Sequence, residues 1–165
     1  MTTAAQTPSR SPPGAASAVA LAGFGGGAVD FIYASCVGLI HGRSFLQVWQ
    51  GVASGWFGTA AADGGGATPA LGIATHFGIA ICMAAVYALV AARVPLLYRR
   101  PVPCGVAYGV VLYAVMYRIV LPLRFPAVFP RWDGAQSVTD IASHVGVGLV
   151  IAILLSRRAA RAPRR

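Results

Sequence analysis

The sequence predicts an all-α fold: a four-helix transmembrane bundle with one additional short helix that lies in the outer interface or re-enters the bundle. Three observations predict it. Of 165 residues, 57% are hydrophobic and only 10% are charged, whereas a soluble domain carries about 25% charged residues, so the chain lacks the polar groups to cover itself in water. Mean hydropathy is +0.69. Four apolar runs each approach or exceed the roughly 20 residues that carry an α-helix across a bilayer.

The first run, residues 17–40, is longer than the roughly 7–15 residues of a signal-peptide core and leads into further spans, so it reads as an uncleaved helix. Residues 1–16 before it are rich in Pro, Ser, Thr and Ala with no apolar face, and are expected to be a disordered cytoplasmic tail. Gly23 and Gly27 place two missing side chains on one helical face, a surface for close helix contact. Asp30 sits near the centre of this span, where a carboxyl group must be protonated, paired or hydrated.

Residues 44–62 are apolar but shorter. Phe45, Val48, Trp49, Val52 and Trp56 recur at helical spacing, and Ser44 with Gln47 makes a capping box at the start. Uncharged and tryptophan-bearing, this segment reads as the interfacial or re-entrant helix. The glycines 64–66 end it.

Thr68-Pro69 reads as the N-cap and first residue of the second span, 69–93. A short loop with Arg93, Arg99 and Arg100 leads to Pro101 and Pro103, which open a third span over 101–121, ended by Pro122. Gly105 and Gly109 give it a second small-residue face. The fourth span, 137–157, closes a transmembrane domain of 17–158, and 159–165 form a basic cytoplasmic tail.

All 13 basic residues are Arg and all four acidic residues are Asp, for a net charge of +9. With four spans, nine arginines fall on the side of the two termini and three, Arg43, Arg124 and Arg131, on the other, which places both termini in the cytoplasm. The arginines flank apolar runs, so they report topology and give no reason to expect nucleic-acid binding. Cys36, Cys82 and Cys104 stand singly at different depths and read as packing residues.

Each of the four spans contributes an ionisable group to the same half of the membrane. Counting from the span midpoints, Asp30 lies roughly 2 Å, His144 roughly 4 Å, His76 roughly 7 Å, and Arg118 and Asp140 roughly 10 Å toward the outer side. An interior cluster of Asp30, His76, Arg118, Asp140 and His144 satisfies them together, with Asp30 and His144 paired across the first and fourth helices. Plainer readings stand beside it: Asp140 caps the last helix in a Ser137-x-x-Asp140 box, Arg118 extends to the interface, and the two histidines bond to backbone groups.

No nucleophile elbow, phosphate loop, dinucleotide fingerprint or HExxH pattern is present, so no enzyme, catalytic residue, metal or cofactor is expected. A structural or partner-binding membrane protein is the first reading, with the bilayer and a second copy or another membrane protein as its partners. A transporter or channel subunit using the polar cluster is the alternative. A haem or metal protein, with His76 and His144 as ligands, is the second alternative.

The chain from Thr75-His76 onward resembles the YagU-like family of small bacterial inner-membrane proteins. The similarity rests on Thr75-His76 opening a span, the basic proline-containing loop, the glycine-bearing third span ending in Pro122-Leu123, and His144 early in the last span before Arg157-Arg158. It covers a little over half of the chain. The resemblance implies a bacterial inner-membrane location and supplies no reaction.

Overall fold

A computed structural model describes residues 14–161, apart from the Arg161 side chain. Among them the elements are α1 (Ala15–Ile40), α2 (Phe45–Phe57), a 3-10 turn (Gly58–Asp63), α3 (Ala67–Arg93), α4 (Leu96–Arg99), α5 (Pro101–Val115), a π-helical turn (Met116–Val120), α6 (Leu121–Arg124) and α7 (Gly134–Arg161). Four helical stretches are long and apolar enough to cross a membrane: Ala15–Ile40, Ala67–Arg93, Pro101–Arg124 and Gly134–Ala160. The all-α four-helix architecture expected from the sequence is the one observed. The expected tails fall mostly outside the described residues, which leave out 1–13 and 162–165, and α1 is already helical at Ala15.

Neighbouring spans run antiparallel in the order α5, α7, α1, α3, with α7 between α5 and α1 and the most buried of the four. Below, "upper" denotes the half that holds the α1–α2 turn. Small residues set the helix contacts, because a bilayer offers little hydrophobic drive for helix association and close backbone approach must supply the packing. Gly23 lies on Ile81, Gly27 on Phe77 and Ala80, and Gly26 on Val147 and Ile151. Gly105 and Gly109 lie against Gly148 and the His144–Val145 backbone. Both glycine faces expected from the sequence are therefore used, and both are used inside the chain.

The core over this glycine framework holds Ala22, Ala84, Tyr87, Leu112, Ile151 and Ala152. The outer surface is apolar too: Leu21, Ile32, Leu89 and Ile119 are all more than half exposed. Such a surface is solvated by lipid and not by water.

α2 packs across α1 and α3 in the upper half. Its Ser44–Gln47 capping box forms as expected, with Gln47 N–H donating to Ser44 Oγ at 3.2 Å and Ser44 N–H to Gln47 Oε1 at 2.8 Å. The tryptophans divide: Trp49 is completely buried, while Trp56 is exposed and donates its indole N–H to Thr75 Oγ1 at 2.9 Å. The α-helix stops at Phe57 and passes into the 3-10 turn at Gly58, whose φ of 60° lies in the left-handed region that favours glycine.

Three element boundaries differ from expectation. Thr68 does not cap α3; the helix begins at Ala67, and Thr68 Oγ1 donates to the Ala61 carbonyl at 2.7 Å, tying the helix to the turn before it. Pro122 does not end the third span. The chain widens into the π turn just before it and continues helical to Arg124; the wider turn accommodates a ring that would collide with the Arg118 carbonyl in a regular α-helix. α7 begins at Gly134, three residues ahead of the expected start.

Candidate functional site

The upper half of the bundle encloses an open cavity of about 950 Å3 between α1, α2, α3, the π turn with α6, and α7. Its lining includes Asp30, His76, Asp140 and His144, so four of the five ionisable residues singled out in the sequence converge on it.

They converge as two separate networks. In the first, Ser143 Oγ donates to Asp30 Oδ1 at 2.7 Å, and His76 Nδ1 stands 4.0 Å from Asp30 Oδ2. The His76 ring is held by its other nitrogen, 2.9 Å from the Gly27 carbonyl oxygen; because a carbonyl only accepts, Nε2 carries the proton. In the second, Asp140 Oδ1 accepts from Tyr33 Oη at 2.6 Å and from Gln136 Nε2 at 2.9 Å. Gln136 Nε2 is also 2.8 Å from Tyr33 Oη, closing a three-residue ring between α1 and α7.

This geometry corrects two expectations. Asp140 does not cap α7: it lies within the helix and is buried, and Ser137 Oγ instead accepts from the Asp133 N–H at 2.8 Å. Asp30 and His144 are not partners. His144 Nδ1 donates to the Asp140 carbonyl at 2.8 Å, and its ring stands edge-on to Tyr113 and Tyr117, 5.8 Å from each. Successive residues of a helix project about 100° apart, so once Ser143 faces α1, His144 is turned toward the third span.

Arg118 does not join the cluster. It is exposed on the π turn, and the preceding residue, Tyr117, faces the cavity in its place. Arg43, Arg124 and Arg131 line the upper rim. Arg43 donates to the Gln47 carbonyl at 2.6 Å, Arg124 to the carbonyls of Gly55 and Ser54 at the end of α2, and Arg131 pairs with Asp133 at 3.1 Å.

Sequence reading missed Tyr33, Gln136, Ser143, Tyr117 and Trp49. A signal for the first three existed: Tyr33 is three residues after Asp30, Gln136 four before Asp140 and Ser143 three after it, the spacings that place side chains on one helical face. Helical spacing places Trp49 on the face of the interfacial segment, but nothing marked its burial: it stacks on Phe31 at 4.4 Å and meets His76 edge-on at 5.2 Å.

Among the described residues no three His, Cys, Asp or Glu side chains gather as a metal-binding set. His76 and His144 each commit one ring nitrogen to a backbone carbonyl, which leaves the other nitrogen of each as an acceptor, and they lie in different networks.

The apolar exterior and four helices long and apolar enough to cross a membrane mark a multi-pass α-helical membrane protein. No family model matches the chain, and neither does any curated protein or solved structure.

The two networks make a specific prediction. In double-mutant cycles measured by unfolding in detergent, Asp30→Asn with Ser143→Ala should show a coupling of about 0.5–2 kcal/mol, as expected for contacting polar groups. Asp30→Asn with His144→Gln should couple less. The reverse order would restore the direct Asp30–His144 pair.

Proposed function

We propose that this chain is a small-molecule-binding protein of the bacterial inner membrane, acting in uptake, export or sensing, with both termini cytoplasmic and the cavity on the periplasmic side. The observation that carries this reading is the cavity of about 950 Å3 with carboxyl and imidazole groups on its walls. That volume is in the range of ligand sites, roughly 300–1,000 Å3, and ionisable groups at membrane depth mark binding and transport pathways.

The orientation rests on the nine arginines of the terminal side against three opposite. The inner-membrane location and the affiliation with the YagU-like family rest on the motifs from Thr75-His76 to Arg157-Arg158. A binding role without catalysis, cofactor or nucleic acid fits walls that hold hydrogen-bonded acids and aromatic rings but no activated nucleophile.

The reading as a purely structural or partner-binding protein drew on the glycine faces. Gly23, Gly27, Gly105 and Gly109 are occupied by helices of the same chain, so these faces no longer call for an external partner. Four spans are few to enclose a complete pathway, and translocation, as distinct from binding, would draw on a second copy.

Two experiments test the proposal. Purified protein screened by thermal shift against small amines, carboxylates and phosphates should respond saturably to one class, and Asp30→Asn with Asp140→Asn should abolish the response. No response to any class, together with no flux in proteoliposomes, would return the structural reading to first place. For orientation, Ala62→Cys in a cysteine-free background should react with an impermeant maleimide from the periplasmic side; labelling from the cytoplasm alone would invert the topology.

A further inference from the structure

α3 and α5 stand at the two ends of the helix order and scarcely approach each other. In the lower half they are bridged by tyrosines: Tyr108 Oη donates to the Met83 carbonyl at 2.7 Å, and the Tyr87 and Tyr108 rings meet edge-on at 5.0 Å. Above this bridge the helices leave a groove of about 530 Å3 on the lipid-facing side. Gly78, Cys82 and Val86 line it from α3, and Val111, Leu112 and Val115 line it from α5. Among the described residues no charged side chain lines the groove.

The groove borders the polar cavity. Thr75, Ile79, Met83, Met116 and Val120 line both. The cavity thus has two flanks of opposite character: an upper mouth carrying Arg43, Arg124 and the Arg131–Asp133 pair, and an uncharged wall shared with the groove. Deep inside, the groups bonded to the Asp30 and Asp140 carboxyls, Ser143 Oγ, Tyr33 Oη and Gln136 Nε2, are all donors. That arrangement suits acceptor-only carboxylates. The aromatic rings of Trp49 and Tyr117 border the same space, each stacked on a neighbouring ring, Phe31 and Tyr113.

From this charge pattern we infer that the cavity takes a single-chain amphiphile with a cationic amine head, which enters from the upper leaflet between α3 and α5. The head lies at Asp30 and Asp140, reached without passing the arginines of the mouth, and the alkyl chain lies in the groove over Gly78. The inference deepens the binding role proposed above and rests on it.

Tryptophan quenching tests it in phosphatidylcholine nanodiscs holding the full chain, because Trp49 and Trp56 line the cavity. The probe is a brominated dodecylamine, with the brominated alcohol and fatty acid of equal chain length as controls for partition into lipid. The amine should quench saturably and on the order of ten-fold more strongly than either control. Gly78→Phe should cost on the order of ten-fold in amine affinity, the worth of about two buried methylenes; a Cβ at Gly78 meets no atom within 4 Å, so a side chain can start there without a clash, and unfolding in detergent checks that the variant is folded. Cys82→Phe fills the same groove from the next turn and should act alike. Asp30→Asn with Asp140→Asn should reduce the amine to the level of the alcohol. Equal quenching by amine and alcohol in the unaltered protein, or indifference to both groove substitutions, would overturn the inference. Butylamine separates the two levels: saturable binding of butylamine with no gain from chain length would retain the polar site and remove the lateral entry, whereas binding of neither amine would count against both.

Discussion

Gly109→Val is expected to cost about 3 kcal/mol or more of stability in detergent and to separate α5 from α7. A Cβ at residue 109 would run into the His144 carbonyl and the Val145 Cα, and these are backbone atoms that cannot rotate away. From the other side, a Cβ at Gly148 would meet the Gly105 carbonyl and the Gly109 backbone, so the two helices touch main chain to main chain. The only relief is to move the helices apart, and that withdraws packing from Leu112, Ile151 and Ala152 together. The same step moves His144, whose ring sits against Tyr113 and Tyr117. Gly78→Ala is the control: with open space at its Cβ it should change stability by no more than about 1 kcal/mol. Similar unfolding of the two variants would show that the α5–α7 approach is not the critical contact.

Trp49→Ala should be the most damaging substitution in the upper half, at about 3–5 kcal/mol. Trp49 is fully buried, stacks on Phe31 at 4.4 Å, and is the side chain through which α2 reaches the bundle interior. Truncating it removes the contact with both Phe31 and His76 and enlarges a cavity already about 950 Å3 in volume. Trp49→Phe should be much milder, about 1 kcal/mol, because it retains an aromatic ring and removes an indole N–H that has no hydrogen-bond partner among the described residues. Equal losses for the two variants would assign the role to the full volume of the indole and not to aromatic stacking as such. Gel filtration with thermal unfolding distinguishes a loosened α2 from a collapsed bundle.

The depths of the polar residues were legible from the sequence because helical rise is a fixed quantity. Asp30 and Ser143 meet, as do Tyr33 and Asp140, at levels that the 1.5 Å rise brings together in antiparallel helices. Direction around the helix axis was not legible. Depth alone made His144 as good a partner for Asp30 as Ser143, and Arg118 as good a cavity residue as Tyr117. The choice depended on how α7 is rotated between α1 and α5, and that rotation is set by Gly26 against Ile151 on one side and Gly109 against His144 and Val145 on the other.

α2 shows the same limit from another direction. Its start was written locally, in a capping box that needs only Ser44 and Gln47. Its burial was not, since Trp49 becomes a core residue only because Phe31 of α1 and His76 of α3 arrive beside it.

By itself, then, the sequence determined the membrane-spanning class, the four long helices, the small-residue faces and the common level of the ionisable groups along the bundle. These follow from composition, run length and rise per residue, properties of single segments. The tertiary structure decided which side chains meet, that the acids form two networks, and that α3 and α5 part above Tyr108 to leave a groove. Those outcomes depend on the rotation and separation of whole helices, fixed by backbone contacts between residues far apart in the chain.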